Sequence, residues 1–106
     1  MSLTSALCDG VTYARLTGEL TVFTVADLQD DIFGLLNHAR VTLDLSELTD
    51  LDGCGAQLLA ILQMQALRAG KSITLIENNP QVDNVLRLMG IAALFQMDTE
   101  LSRGPE

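Results

Sequence analysis

VTLDLSELTDLDGCGAQLLAILQMQALRAG, residues 41–70, is the stretch that decides the fold. Val41, Leu43 and Leu45 alternate with Thr42 and Asp44, the period of a half-buried strand. Residues 46–52 read as a loop. Leu58, Leu59, Ile61, Leu62, Ala66 and Ala69 then recur at helical spacing. Gly70 ends that helix as a residue just past the cap, with Arg68 and Lys71 at the negative end of its dipole. Residues 72–76 are the next strand. A strand, a helix and a strand in succession imply parallel pairing through a right-handed crossover.

Working outward, residues 3–7 and 11–16 are strand-like runs around Asp9-Gly10, a strong hairpin signal. Thr24 is expected to cap a first helix, with Asp27 three residues on as an approximate capping box. Val25, Leu28, Ile32, Leu35 and Leu36 form its apolar face. Gly34 interrupts this face at a cost of about 1 kcal/mol, which close packing on the sheet would explain. Downstream, Asn78-Asn79-Pro80 combines a turn with a helix start, Asn79 as cap and Pro80 in the first turn. Val82, Val85, Leu86 and Met89 are its expected core face, Gly90 its stop, and residues 91–95 a plug for the end of the sheet. Residues 102–106 read as a frayed end. The expected order is β-β-α-β-α-β-α-α. It is an α/β fold: a small mixed sheet of about four strands, with helices mainly on one face, in a single domain over residues 1–106.

Composition narrows the function. The chain has 106 residues, 48% of them hydrophobic, so a core forms without disulfides or metals. Its six Lys and Arg against fourteen Asp and Glu give a net charge of −8. No basic stripe exists, which argues against nucleic acid and anionic membranes as partners. The two cysteines, Cys8 and Cys54, are too few for a secreted disulfide framework. With no signal peptide and no run long enough to insert in a membrane, the expectation is a reduced, cytoplasmic protein.

Catalytic constellations are missing. His38 is the single histidine and reads as a surface residue. There is no Cys-x-x-Cys, no phosphate-cradling glycine loop and no nucleophile elbow. No catalytic residue, metal or cofactor is therefore assigned. Asp44, Glu47, Asp50 and Asp52 are four acids within nine residues, but Leu45, Leu48 and Leu51 interleave with them, which argues against a cation site. Asp52-Gly53-Cys54-Gly55 stands where a loop enters a helix. It is readable either as an anion-accepting helix start or as an Asp cap with glycine packing. A thiol in the first helical turn, Cys54, can be activated, although Asp52 opposes this.

Several motifs occur in a family's order. Asp44-Leu45-Ser46, Leu51-Asp52-Gly53-Cys54-Gly55, Leu58-Leu59 and Arg68-Ala69-Gly70-Lys71 resemble the STAS domain, the sulfate-transporter and anti-sigma-factor-antagonist family. Arg15-Leu16-Thr17-Gly18-Glu19-Leu20 is similar to its second-strand motif, and residues 82–95 to its closing helices. The resemblance spans roughly residues 4–97.

The resemblance implies a non-enzymatic regulatory module. Stand-alone bacterial members typically bind an anti-sigma factor that is also a serine kinase, and a Ser or Thr directly after the loop Asp carries the phosphate. That position is Gly53 here, with Cys54 next, so the usual phosphoswitch is expected to be absent. Ser46 and Thr49 are nearby hydroxyls that do not align with the acceptor. The implied partner-binding surface comprises Asp50, Asp52, Gly53, Cys54, Gly55 and Gln57, on a monomer or weak dimer. The family also implies an alternative, a regulatory subunit docked on the ATPase subunit of a lipid ABC transporter. Gly55-Ala56-Gln57-Leu58-Leu59 is similar to STAS proteins associated with chemotaxis.

Overall fold

A computed structural model describes residues 2–76 and 79–97. Asn78 and the tail at 102–106, both read above, lie outside the described residues. The hairpin forms as expected. β1 (Ser2–Cys8) runs antiparallel to β2 (Val11–Leu20), with Cys8 opposite Val11. Asp9 and Gly10 both take positive φ, 53° and 80°, as a type I′ turn requires.

β2 then serves two neighbours. Its first half pairs in parallel with β3 (Arg40–Asp44), which pairs in parallel with β5 (Ser72–Ile76). Its second half pairs in parallel with β4 (Leu48–Leu51), inside the stretch expected to be a loop. The switch occurs at Gly18, where φ is +86° and the register shifts. A two-residue β6 (Gln96–Met97) adds to β5, so the sheet runs β1-β2-β3-β5-β6 with β4 beside the end of β2. Among the described residues the sheet thus contains the four expected strands together with β4 and β6. The additions are short ones with no alternation of their own to read.

The register sorts the two faces. Ala14 stands beside Leu43, which stands beside Leu75, all buried. Arg15 stands beside Asp44 on the other face, where Arg15 and Tyr13 are exposed. The helices α1 (Val25–Phe33), α2 (Gly53–Arg68) and α3 (Pro80–Leu88) pack against the first face. Among the described residues no helix covers the second face, so the expected one-sided arrangement holds.

Helix ends follow the sequence in part. Asn79 caps α3, its Oδ1 accepting from the amides of Gln81 and Val82, with Pro80 behind it. Gly70 has φ +74°, as a residue beyond the cap should. Thr24 makes no side-chain cap on α1; its hydroxyl accepts from the Thr21 amide and donates to the Glu19 carbonyl, closing the preceding loop instead. α1 gives way to a 3₁₀ turn, Gly34–Asn37. A Cβ on Gly34 would meet nothing within 4 Å, so close packing does not explain that glycine.

Two apolar stripes need correction. Met89 is the C-terminal cap of α3 and is 42% exposed, while Val82 and Leu86 carry the core contact. On α2, Ile61 and Ala69 are exposed and Gln63 is buried. Its amide accepts from the Ile73 N–H at 3.1 Å and donates to the Leu94 carbonyl at 3.0 Å, strapping β5 and the closing 3₁₀ turn to the helix. Ile91 and Phe95 are buried around that turn, the plug expected from sequence. Replacing Gln63 by Leu keeps the volume but orphans a buried N–H. The expected loss is about 1–3 kcal/mol, read as a lower midpoint in urea unfolding at unchanged slope.

Candidate functional site

The site is built where β2 ends and α2 begins. Gly55 lies in the first turn of α2 and is buried. A Cβ there would stand 2.1 Å from the Leu20 carbonyl oxygen, closer than any side chain tolerates. The Asp52 amide also donates to that carbonyl, at 3.4 Å. Only a glycine lets the helix approach the strand end this closely.

Asp52 secures the approach. Its Oδ1 accepts from the Gly55 amide at 3.0 Å, which caps α2. Its Oδ2 accepts from the Val22 amide at 2.9 Å, which ties the loop after β2 to the helix start. The Gly55 amide first, and the Val22 amide next, hold this carboxyl below the ordinary aspartate pKa. The carboxylate occupies the place an outside anion would take. Of the two readings of this helix start, the Asp cap with glycine packing is the one realised.

The loop held by Asp52 presents apolar groups to solvent. Its backbone is drawn inward, the Thr24 and Val25 amides both donating to the Thr21 carbonyl. Phe23 is 86% exposed and Val22 54%. Met89 reaches toward the start of α2 from the other side, its Sδ and Cε 3.8 Å from where a Gly53 Cβ would stand. Gly53, Cys54 and Gln57 are exposed on the same helix, and Asp50 on β4. The candidate surface therefore has an apolar centre that the sequence reading did not name. Val22 and Phe23 lay between a strand pattern and a supposed cap. Met89 was absorbed into a helix face.

The remaining expected positions separate. Gly55 lies under Leu20 and is unavailable to a partner. Asp52 is half-buried with both oxygens engaged. Ser46 donates to Asp44 through both its amide and its hydroxyl, at 2.9 and 2.6 Å, while Thr49 is exposed. Asp44 also accepts from Arg15 on the open face. Burial raises the Asp44 pKa, but the Ser46 hydroxyl and amide and the Arg15 guanidinium outweigh it, so the net shift is downward. Asp44 and Asp52 thus serve separate tasks, and among the described residues no three metal-ligating side chains converge. Cys8 and Cys54 are free, exposed thiols.

A family model described as "Mlab, STAS domain" matches residues 9–97. The chain belongs to this STAS-domain family. Comparison with curated protein sequences found no match. Among solved structures, a putative anti-sigma factor antagonist from Thermotoga maritima is similar at TM-score 0.80 and 18% identity, covering 90% of this chain and 84% of that one. The Bacillus cell fate determinant SpoIIAA in its phosphorylated form is similar at TM-score 0.67 and 16% identity, covering 96% of each. A sulfate transporter family protein from Wolinella succinogenes is similar at TM-score 0.69 and 18% identity, covering 88% of this chain and 80% of that one. At these identities the likeness is one of fold. No helix among the described residues is long and apolar enough to cross a membrane.

The STAS core here rests on the Gly55 contact, so Gly55→Ala is expected to destabilise by about 3 kcal/mol or more, because backbone must move. Thermal unfolding checks this. Asp52 gives a pH signature. Its folded pKa lies below the unfolded value, so its stabilisation is complete above about pH 4 and is lost as pH falls through the folded value. Asp52→Asn keeps a cap acceptor but removes the charge. It should flatten the acid limb of stability against pH.

Proposed function

We propose that this chain is a non-enzymatic, cytoplasmic docking module of the anti-sigma-factor-antagonist type, whose partner is a serine-kinase-like anti-sigma factor. The surface it uses is Val22, Phe23, Gly53, Cys54, Gln57 and Met89, with Asp50 at its margin. The observation that carries this reading is the 86% exposure of Phe23 on a loop pinned to the start of α2 by Asp52. A large apolar side chain held out in water by a rigid loop is the type of residue that anchors protein interfaces.

The same surface lacks the family's switch. Gly53 has no hydroxyl, Cys54 is not a Ser/Thr kinase substrate, and the Ser46 hydroxyl is spent on Asp44. Docking is therefore constitutive, or governed from the partner's side. A second reading, a regulatory subunit on the ATPase of a lipid ABC transporter, gains support from the fold's occurrence in a sulfate transporter family protein. Both readings use one surface without phosphorylation.

Two measurements test the proposal. With a serine-kinase anti-sigma factor from the same source, calorimetry should show binding that Phe23→Ala weakens at least about tenfold. Absence of binding, alongside binding to a transporter ATPase subunit, would favour the second reading. With ATP present, mass spectrometry should find no phosphate on the native chain and one phosphate on Gly53→Ser. The added Cβ of that variant meets only Met89, at ordinary contact distance, so the fold accepts it. Phosphate on Ser46 or Thr49 of the native chain would overturn the lost switch.

A further inference from the structure

β1 is an edge strand with unusual properties for one. Among the described residues, no strand pairs with its outer side. It is seven residues long and reads Ser-Leu-Thr-Ser-Ala-Leu-Cys, with no charge, no proline and no bulge. Those are the devices that normally prevent an exposed edge from pairing. In a chain of net charge −8, this strand itself carries no acid.

The geometry of the hairpin says which groups are unpaired. The two-residue turn makes Cys8 and Val11 a bond-exchanging pair, so Ala6 with Tyr13 and Thr4 with Arg15 are also such pairs. Leu3, Ser5 and Leu7 therefore turn their N–H and C=O groups away from β2. An antiparallel second copy of β1 centred on Ser5 sets Leu3 opposite Leu7, Ser5 opposite Ser5, and Leu7 opposite Leu3. Each of these is a pair of outward-facing residues, so all three pairs close with both hydrogen bonds. The strand is complementary to itself about a two-fold axis.

Side chains agree with this register. Leu7 is 74% exposed, and it lies on the helix-side face with Leu3, which packs on the core. Beside Leu3 is a groove of about 330 Å³ bounded by Ser5, Gly34 and Leu35. Gly34 has a right-handed helical conformation, φ −59°, that needs no glycine, and open space where its Cβ would be. A single chain gains nothing from that notch. A Leu7 arriving from a second copy, opposite Leu3, would be seated over it.

We propose that the chain forms a two-fold homodimer by antiparallel pairing of β1 with β1, centred on Ser5, each Leu7 filling the groove at Leu3 and Gly34 of its partner. The sheet then continues through both copies, and the docking surface at α2 remains open on each. The contact is small, a seven-residue strand of about 24 Å at ~3.4 Å per residue, so association is weak. Asp30 and Asp31 border the same groove and approach the second copy, with His38 as the only nearby base in it. Added salt therefore strengthens the dimer by screening these acids.

Sedimentation equilibrium over a concentration series up to the order of 1 mM, at low and high NaCl, tests this at the weak end of known interfaces. The native chain should show a monomer–dimer equilibrium that tightens with salt. Ser5→Pro removes an outward N–H and leaves the bonds to β2 in place, since proline is tolerated at an edge whose N–H faces solvent. It should weaken the dimer at least tenfold. Leu7→Asp should do the same by adding an acid to a groove that Asp30 and Asp31 already border, and it carries the test alone if Ser5→Pro lowers the circular dichroism signal. A chain monomeric throughout the series, or a dimer that survives Leu7→Asp, overturns the proposal.

Discussion

The contact between Gly55 and the Leu20 carbonyl is the constraint from which the rest follows. It brings the helix start onto the end of β2 at a distance that admits no side chain. Because β2 must reach this far, it outruns β3 and needs a second neighbour for its last residues. β4 supplies that neighbour, and the change of φ at Gly18 turns the strand toward it. Asp52, which follows β4 in the chain, then links two further segments with one carboxylate: it caps α2 and holds the Val22 amide. Each bond is modest in net terms, roughly 1 kcal/mol, but together they leave the loop at Val22 and Phe23 little freedom.

That rigidity has a consequence for binding. An apolar side chain on a mobile loop loses entropy when a partner orders it, and much of its contact energy is cancelled. Phe23 is presented by a loop whose amides and hydroxyls are already satisfied internally. Glu19 and Asp50 are exposed and stand side by side where β2 and β4 end, while both oxygens of Asp52 are engaged by backbone amides. The surface therefore combines a preformed apolar centre with a negative margin. In the proposed docking, such a surface would favour the approach of a partner with a basic rim over one with an acidic rim.

Strands with buried–exposed alternation were legible in the sequence, because their period comes from the pleat itself. So were the ends marked by glycine, proline and asparagine at Asp9-Gly10, Asn79-Pro80, Gly70 and Gly90. What escaped reading depends on distant parts of the chain. Leu48-Thr49-Asp50-Leu51 has apolar residues three apart and becomes a strand only because the end of β2 lies beside it. Thr24 has the composition of a cap, yet Glu19 and Thr21 compete for its hydroxyl. Gln63 is polar at a core position and is satisfied by β5 and the turn at Leu94, thirty-one residues away. At the site, Asp52 and the two glycines were visible as a motif. The exposure of Phe23 and Met89 was not, since a hydrophobic residue carries no local sign of facing outward.

The motif itself shows how identical residues answer to different causes. Gly53 and Gly55 are separated by one residue in the same helical turn. At Gly55 the backbone of Leu20 forbids a Cβ, so the fold alone accounts for the glycine. At Gly53 a Cβ would meet only the flexible end of Met89 at 3.8 Å, and glycine is a poor helix former there. Folding would accept serine or alanine at this position, and would gain from either. The fold alone does not account for the glycine at Gly53, whereas the proposed docking role does. In that proposed role, a flat, uncharged helix start would let a partner's backbone approach α2 closely, and a side chain carrying a phosphate would close that approach by bulk as well as by charge.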